Sequence, residues 1–347
     1  MKKLLSAVVL LIIGGTFLFA GATGESKQPS GPEKEEVQNF TLKFHTLAPP
    51  SDYNTKAMYV FKDELEKSTN GRITVEIFHS GQLFTQEAEQ TAVQKGDIDI
   101  NYSSPGWWTE SFPEWSFLAA LYIYKDIDHM YKILNGEIGM EMYDQIAQKM
   151  GIRPLGAIYF GQRHINLRDI GKEVRTPEDM HGIKLRVPPS PACIMWGKAL
   201  GANPTPISYN EIYLALKTGT IDGQENPIDT IYNLKAYEVT KYIILTGHYI
   251  VPHCPTINEK KWQALGPELQ AKVYEAVEKM RAYNHEGKLN AEKDLLAKMK
   301  EEGMIVVEPD LMIWKQFANK VYLDEPEKSG ADKWDMELYN RIAAEAD

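Results

Sequence analysis

The sequence predicts an α/β protein with two lobes that face each other across a crevice. Strand-like and helical patterns follow one another from Phe40 to Phe78 in the order strand, helix, strand, which is typical of a parallel sheet. The motif A-x-x-x-G-x-I-D occurs twice, at 92–99 and at 215–222, which indicates two lobes built to one plan. The 347 residues, 43% of them hydrophobic, suffice to fill the cores of about two domains.

The first 22 residues have the pattern of a secretory signal peptide. Lys2 and Lys3 precede an uncharged apolar run, and Ala20-Gly21-Ala22 fits the cleavage site of small residues. Residues 23–39 lack apolar periodicity and are predicted to form a flexible export linker. We therefore expect a periplasmic or otherwise extracytoplasmic protein; the alternative is a signal that is retained as a membrane anchor.

Two strands and a helix are predicted between the two copies of the motif. Gly151–Phe160 is mostly apolar and leads directly to the Gln162-Arg163 turn. Gly182–Val187 alternates like a strand and is followed by prolines, which a sheet does not continue through. Ala192–Leu200 is predicted to be a helix that is closed by Gly201.

Three further helices are predicted from the residues that begin them. Ser208 and Glu211 have the spacing of a capping box. Asn226 before Pro227 has the form of an N-cap followed by proline in the first turn. The pattern from Pro267 to Glu301 predicts one helix long enough to brace both lobes, and a strand and helical segments follow it.

Composition and motifs exclude several classes of function. The formal net charge of −10 argues against nucleic acid as a partner, and an anion would need locally placed cations. No G-x-S-x-G, H-E-x-x-H, phosphate-loop or paired-cysteine pattern occurs, so we predict no enzyme, no cofactor and no metal site. Cys193 and Cys254 are too few for a disulfide scaffold, and the sequence leaves open whether they pair.

The strand ends supply the candidate binding residues. In open parallel sheets, ligands bind in the crevice beyond the carboxyl ends of the strands. The planar guanidinium of arginine matches a carboxylate, so arginines from two strand ends would suit a small organic anion. The candidates at these positions are Ser104, Trp107, Trp108, Arg163, Arg186 and the segment 224–226.

Each of these candidates also has a structural interpretation that the pattern alone does not eliminate. Arg186 alternates with Leu185 and Val187, which fits a solvated strand face. Asn226 fits the helix cap described above, and Trp107-Trp108 fits a core.

The segment from Gly182 to Asn258 resembles the extracytoplasmic solute-binding proteins of TRAP transporters, the DctP family. It contains the marks of that family in the same order, namely K-L-R-V-P, G-A-x-P-T-P, E-x-Y-x-A-L and D-G-Q-E-N-P. Further likenesses cover nearly all of the chain after the signal peptide, including the Gln162-Arg163 turn.

The resemblance implies a type II-like periplasmic-binding-protein fold with a hinge and a bracing helix. Its two lobes would close on a small organic acid and deliver it to TRAP membrane subunits. We predict that one lobe comprises 40–161 with about 253–300, and the other 162–252 with about 301–347. We expect a monomer, and a secreted enzyme or a sensor module for an organic acid is the alternative.

The resemblance also implies roles for individual residues. Arg186 would pair with the ligand carboxylate, with Arg163 and Asn226 assisting. Tyr209 would line the pocket, and His253 would reach the ligand. A sugar acid, a C4-dicarboxylate and an apolar monocarboxylate all stay open as ligands; a dicarboxylate would need a second cation, for which Arg163 and His253 are the candidates.

Overall fold

The computed structural model describes residues 38–324 and 326–345, and its strands form one mixed sheet. The predicted signal peptide and nearly all of the predicted linker lie outside these residues. The described strands are β1 (Phe40–His45), β2 (Ile73–Phe78), β3 (Ile100–Ser103), β4 (Ile152–Pro154), β5 (Ile158–Leu167), β6 (Lys184–Val187), β7 (Asn203–Pro206), β8 (Gly223–Pro227), β9 (Tyr242–Asn258) and β10 (Ile305–Val307).

The sheet consists of two halves with the same internal order. Its main path runs β2-β1-β3-β9-β5-β8-β6-β7, with β4 and β10 also paired to β9. In the first half β1 pairs in parallel with β2 and β3; in the second, β6 pairs in parallel with β7 and β8. We call the half with β1–β4 the first lobe and the half with β6–β8 and β10 the second lobe.

The repeated motif has the same structure in both lobes, as predicted. Gly96 and Gly219 each end a helix in the left-handed conformation, with φ of 83° and 77°. The carboxylate of Asp99 accepts a hydrogen bond from the backbone N–H of Lys43 at 2.8 Å, and that of Asp222 accepts one from Lys184 at 2.9 Å. Each aspartate directly precedes a strand, β3 or β8, and thereby ties the beginning of that strand to the central strand of its own lobe, β1 or β6.

Two long strands, β5 and β9, connect the lobes. They run antiparallel, and their register shifts between Tyr159 and Gly161 and again between Arg163 and Ile165. Such irregularities bend a strand pair locally. The predicted hinge therefore corresponds to these two strands, because they carry the chain from one lobe into the other.

The described helices pack on the strands of the sheet and on one another. Their bounds are α1 (Tyr53–Ser68), α2 (Glu89–Lys95), α3 (Ile127–Leu134), α4 (Glu137–Met150), α5 (Pro191–Ala199), α6 (Ile212–Thr218), α7 (Ile228–Asn233), α8 (Glu259–Glu301), α9 (Leu311–Leu323), α10 (Pro326–Ser329) and α11 (Met336–Ala344). Helix α8 is broken at Gly266 (φ 71°, ψ 166°), so its long continuous part begins at Pro267 as predicted.

Helix α8 braces both lobes. It packs along α1 in the first lobe and against α7 in the second. Its apolar face shares a core with the first lobe through Val273, Val277 and Met280, while Met299 belongs to the core of the second lobe.

Two of the predicted helix caps are wrong. Asn226 lies inside β8, and the residue that caps α7 is Pro227, without a side-chain hydrogen bond. Ser208 does occupy the N-cap position of the turn before α6, but its hydroxyl donates to Glu87 of the first lobe and not to the backbone of the turn. For Ser208, a partner brought close by the tertiary fold replaces the local backbone partner that the motif predicts.

The C-terminal tail contacts both lobes. Helix α9 packs on α5 of the second lobe, whereas Ile342 in α11 accepts a hydrogen bond at its carbonyl from His129 Nε2 of the first lobe at 2.9 Å. No helix within 38–324 or 326–345 combines the length and the apolar character needed to cross a membrane.

Candidate functional site

A cavity lies between the lobes at the carboxyl ends of the parallel strands, where the sequence predicts the crevice. Seven of the eight candidate residues line it: Ser104, Trp107, Arg163, Arg186, Tyr209, Asn226 and His253. Six further polar or aromatic side chains of the wall were not predicted: Thr46, Asn54, Gln86, Glu89, Tyr102 and Phe160.

Arg186 is buried at the cavity wall and forms no ion pair with a carboxylate of the described residues. Only 1% of the Arg186 surface is exposed to solvent, so the interpretation as a solvated strand face is wrong. Nε donates to the carbonyl of Ile207 at 2.7 Å, and Nη2 donates to Gln86 Oε1 at 3.0 Å. Burial lowers the pKa of Arg186 to about 10, which leaves it cationic at neutral pH.

Arg163, in contrast, is already neutralised by a buried carboxylate. Its Nε and Nη2 donate to the two oxygens of Glu225, and Nη2 also donates to the Glu225 carbonyl at 2.6 Å. His248 Nε2 approaches the same carboxylate at 3.2 Å. Burial alone would raise the pKa of Glu225, but Arg163 and His248 lower it, so Glu225 is ionised.

The two lobes touch at the mouth of the cavity. Gln86 Oε1 of the first lobe accepts from Arg186 Nη2 and from the backbone N–H of Tyr209, each at 3.0 Å. Ser208 donates to Glu87 beside them. Asn226 donates from Nδ2 to Gln224 Oε1 at 2.6 Å, which holds its amide at the strand end. The contacts of Gln86 and Glu87 with the second lobe hold the lobes in a closed arrangement.

The two adjacent tryptophans have different surroundings. Trp107 lines the cavity together with Ser104, whereas Trp108 is buried in the core. Its indole N–H donates to Ser103 Oγ at 2.9 Å, and its ring packs edge-on against Tyr143. The prediction that Trp108 belongs to the site is therefore wrong, because the short 3₁₀ turn sends consecutive side chains to opposite sides.

His253 forms the middle of an aromatic stack at the cavity wall. Its ring lies 3.9 Å from that of Phe160 and 5.5 Å from that of Tyr102, centroid to centroid. Burial and the nearby Lys288 ammonium lower the pKa of His253 to about 3. His253 is thus neutral at physiological pH and does not supply the second cation that a dicarboxylate would need.

Glu89 is the functional group of the wall that sequence reasoning missed most clearly. It is 8% exposed, begins α2 and accepts a hydrogen bond at Oε2 from His45 Nδ1 at 3.1 Å. Burial raises the pKa of its carboxyl, against the opposing effect of His45. The sequence did indicate that Glu89 is buried, because it precedes Ala92 and Val93 at helical spacing and so lies on the same face of α2.

A second buried charge cluster lies behind Phe160. Lys288 of α8 is fully buried, and its Nζ donates to Asp229 Oδ2 of the second lobe and to Asp52 of the first lobe, at 3.3 Å to Oδ1. The ammonium also lies 4.6 Å from the Phe160 ring centroid. One lysine of the bracing helix therefore joins a carboxylate from each lobe.

The structure shows both cysteines as free and buried. Burial raises the pKa of Cys193 and of Cys254 to about 12, so almost no thiolate is present at neutral pH. We expect native protein at pH 8 to react with a thiol-specific chromogenic disulfide at least 100-fold more slowly than protein in guanidinium chloride, where both thiols should titrate. Fast labelling of folded protein, or fewer than two thiols after denaturation without reductant, would contradict the assignment.

The described residues do not bring three or more His, Cys, Asp or Glu side chains into an arrangement that could hold a metal ion. The charged groups at the cavity wall are those of Arg163, Arg186 and Glu89. The arrangement can therefore bind an anion through Arg186, the cation among them that lacks a carboxylate partner.

Comparison with known families agrees with this geometry. Residues 44–328 match the model of DctP, "Bacterial extracellular solute-binding protein, family 7". The chain belongs to this family. It is a solute-binding protein, and the two-lobed α/β architecture is that of its structural relatives.

Individual relatives cover most of this chain. It is similar to the sialic acid-binding periplasmic protein SiaP of Vibrio cholerae, with 32% identity over 81% of this chain and 87% of SiaP. It is also similar to the C4-dicarboxylate-binding protein DctB of Bacillus subtilis, with 29% identity over 88% of each. A TRAP periplasmic solute-binding protein of Roseobacter denitrificans with bound 3-deoxy-D-manno-oct-2-ulosonic acid has a TM-score of 0.83 and 32% identity, over 89% of this chain and 100% of that one.

Proposed function

We propose that this protein captures a small organic acid outside the cytoplasm and delivers it to the membrane subunits of a TRAP transporter. The observation that carries the proposal is Arg186, a buried cation without a carboxylate partner at the wall of the interlobe cavity. A buried charge is costly unless it is paired, so the site favours a ligand that brings a carboxylate. The relatives support this class of ligand, since SiaP binds sialic acid and DctB binds C4-dicarboxylates by their names.

Closure of the lobes contributes to affinity. A micromolar ligand requires about 8 kcal/mol of binding free energy. One hydrogen bond to a charged group contributes roughly 1.5–3 kcal/mol, so Arg186 alone is not sufficient. From the second lobe, Asn226 and the Arg163 Nη1, which makes no hydrogen bond with a described residue, would complete the binding site. Ser104 and Trp107 would do so from the first lobe. A ligand that contacts both lobes shifts the equilibrium toward the closed form.

The remaining features follow from this role. The predicted signal peptide at 1–22 would export the chain, and the lobes would have the bounds 40–161 with about 253–300 and 162–252 with about 301–347. The protein would act as a monomer without cofactor or nucleic acid and would release its ligand unchanged. The neutral His253 and the un-ionised thiols support binding rather than catalysis, since they offer no activated nucleophile.

The test is to identify the ligand and measure its release. The protein would be exported by its own host, purified without added acids and denatured. The supernatant would then be analysed by mass spectrometry, and Arg186→Ala treated in the same way is the matched control. We expect an intact organic acid in the first sample only. A panel of organic acids should then raise the melting temperature of the refolded wild-type protein. Conversion of the acid by the protein, or stabilisation by no acid in the panel, would contradict the proposal.

A further inference from the structure

The charges at the cavity wall are separated between the two lobes. The second lobe supplies Arg186 and the neutralised pair of Arg163 with Glu225. On the wall formed by the first lobe, the acidic group is Glu89, whose pKa burial raises and His45 lowers. The cavity therefore has the unpaired Arg186 cation at one end and an acid at the other, and neither Arg163 nor His253 supplies a second unpaired positive charge.

The Glu89 carboxylate retains an oxygen for a ligand. His45 occupies Oε2, and Oε1 makes no hydrogen bond with any other described residue. His45 is itself fully buried at the end of β1, so the pair has a fixed position. Asn54 lies on the same wall, and its buried Oδ1 also has no partner among the described residues. In the ionised form, which the hydrogen bond from His45 favours against the effect of burial on the pKa, the free Glu89 oxygen accepts hydrogen bonds as Asn54 Oδ1 does, and neither oxygen offers a donor for a carboxylate.

We propose that Glu89, positioned by His45, is the residue that determines specificity at the end of the ligand opposite its carboxylate. Glu89 accepts a hydrogen bond from a ligand hydroxyl there and excludes a second carboxylate by charge repulsion. The ligand class is thus a hydroxylated monocarboxylate, of the aldonate or uronate kind, and not a dicarboxylate. This inference rests on the proposed function, because it presumes that Arg186 holds the first carboxylate.

Matched pairs of acids test the inference. D-gluconate and L-galactonate carry one carboxylate, and D-glucarate and galactarate are the same carbon chains with a carboxylate at both ends. Dissociation constants would be measured by calorimetry for wild-type protein and for Glu89→Gln, which keeps the side-chain shape and removes the charge. Glu76→Gln is the control, since Glu76 is the same residue type on the exposed face of β2.

We expect wild-type protein to bind the better monocarboxylate at least tenfold more tightly than either dicarboxylate. Glu89→Gln should reduce this ratio to below about threefold, mainly through tighter binding of the dicarboxylate, and Glu76→Gln should preserve it. Two results overturn the inference. The first is equal affinity of wild-type protein for monocarboxylates and dicarboxylates, which is measured without any variant; the second is an unchanged affinity ratio in Glu89→Gln. Arg186-dependent binding with such a ratio would leave the proposed function intact, whereas no binding of any acid would remove both.

Discussion

Arg186→Ala should weaken binding of the organic acid by roughly 2–5 kcal/mol, the usual loss when one partner of a buried charge pair is removed. The reason is that Arg186 forms no ion pair within residues 38–324 and 326–345, so the guanidinium N–H groups that are not bonded to Ile207 and Gln86 can bind the ligand carboxylate. Calorimetric titration with the acid recovered from the native protein measures the loss. Arg186→Lys should recover only part of the affinity, because an ammonium does not form the planar two-point contact.

Stability distinguishes a ligand-binding arginine from a structural one. Removing a buried charge that has no partner ion relieves a desolvation cost, which offsets the lost hydrogen bonds to Ile207 and Gln86. The ligand-free melting temperature of Arg186→Ala should therefore stay within a few degrees of the wild-type value. Arg168→Ala is the matched control, because Arg168 directly follows β5 and lies outside the cavity; we expect little change in either the affinity or the melting temperature. A large loss of stability with unchanged affinity in Arg186→Ala would show that Arg186 is structural.

Most of the fold was predictable because it depends on periodic burial. The strand, helix, strand order and the repeated motif gave the parallel pairing in both lobes, and both motif glycines do adopt the left-handed conformation. The local caps were less predictable. Ser208 and Asn226 had the correct sequence spacing for caps, but Ser208 bonds to the distant Glu87, and Asn226 belongs to β8 and bonds to Gln224 of the same strand. A local motif cannot indicate which distant side chain competes for its hydrogen bond.

The candidate site was predictable where residues lie at strand ends. Arg163, Arg186 and Asn226 all lie there, and the structure brings their side chains to one cavity. Glu89 and Gln86 were missed because they come from the segment that begins α2, whose approach to the cavity depends on how the lobes close. Trp108 was misassigned because sequence adjacency to Trp107 does not fix the side of the chain to which a side chain points.

Lys288→Met should lower the free energy of unfolding by about 3–5 kcal/mol at pH 8, as removal of one partner of a buried ion pair does. Lys288 lies on the buried stripe of α8, one turn after Asn284, and is the cation that neutralises Asp52 and Asp229. Its loss leaves two buried carboxylates, one from each lobe, facing each other. Urea unfolding of ligand-free protein measures the change, and Lys293→Met, on the same helix, is the control.

The pH dependence of this loss identifies its electrostatic origin. Burial raises the pKa of Asp229 to about 7, because Lys288 opposes the effect of burial only in part and the nearby Asp52 adds to it. The pKa of Asp52 is lowered despite burial, because Lys288 and the backbone and side-chain N–H groups of Asn54 donate hydrogen bonds to its carboxylate. An acid with a raised folded pKa takes up a proton on folding, so its destabilising effect grows as pH rises from about 4 to about 7.

In Lys288→Met the loss of stability with rising pH should be larger than in the wild-type protein. Without the lysine, protonation becomes the main way to neutralise the carboxylates of Asp52 and Asp229. The deficit of Lys288→Met should therefore be smaller at pH 5 than at pH 8, and adding Asp229→Asn should recover part of it at pH 8 only. The same deficit at both pH values would mean that Lys288 acts through the packing of its hydrocarbon chain. In that case the two carboxylates would not couple the lobes to the bracing helix through charge.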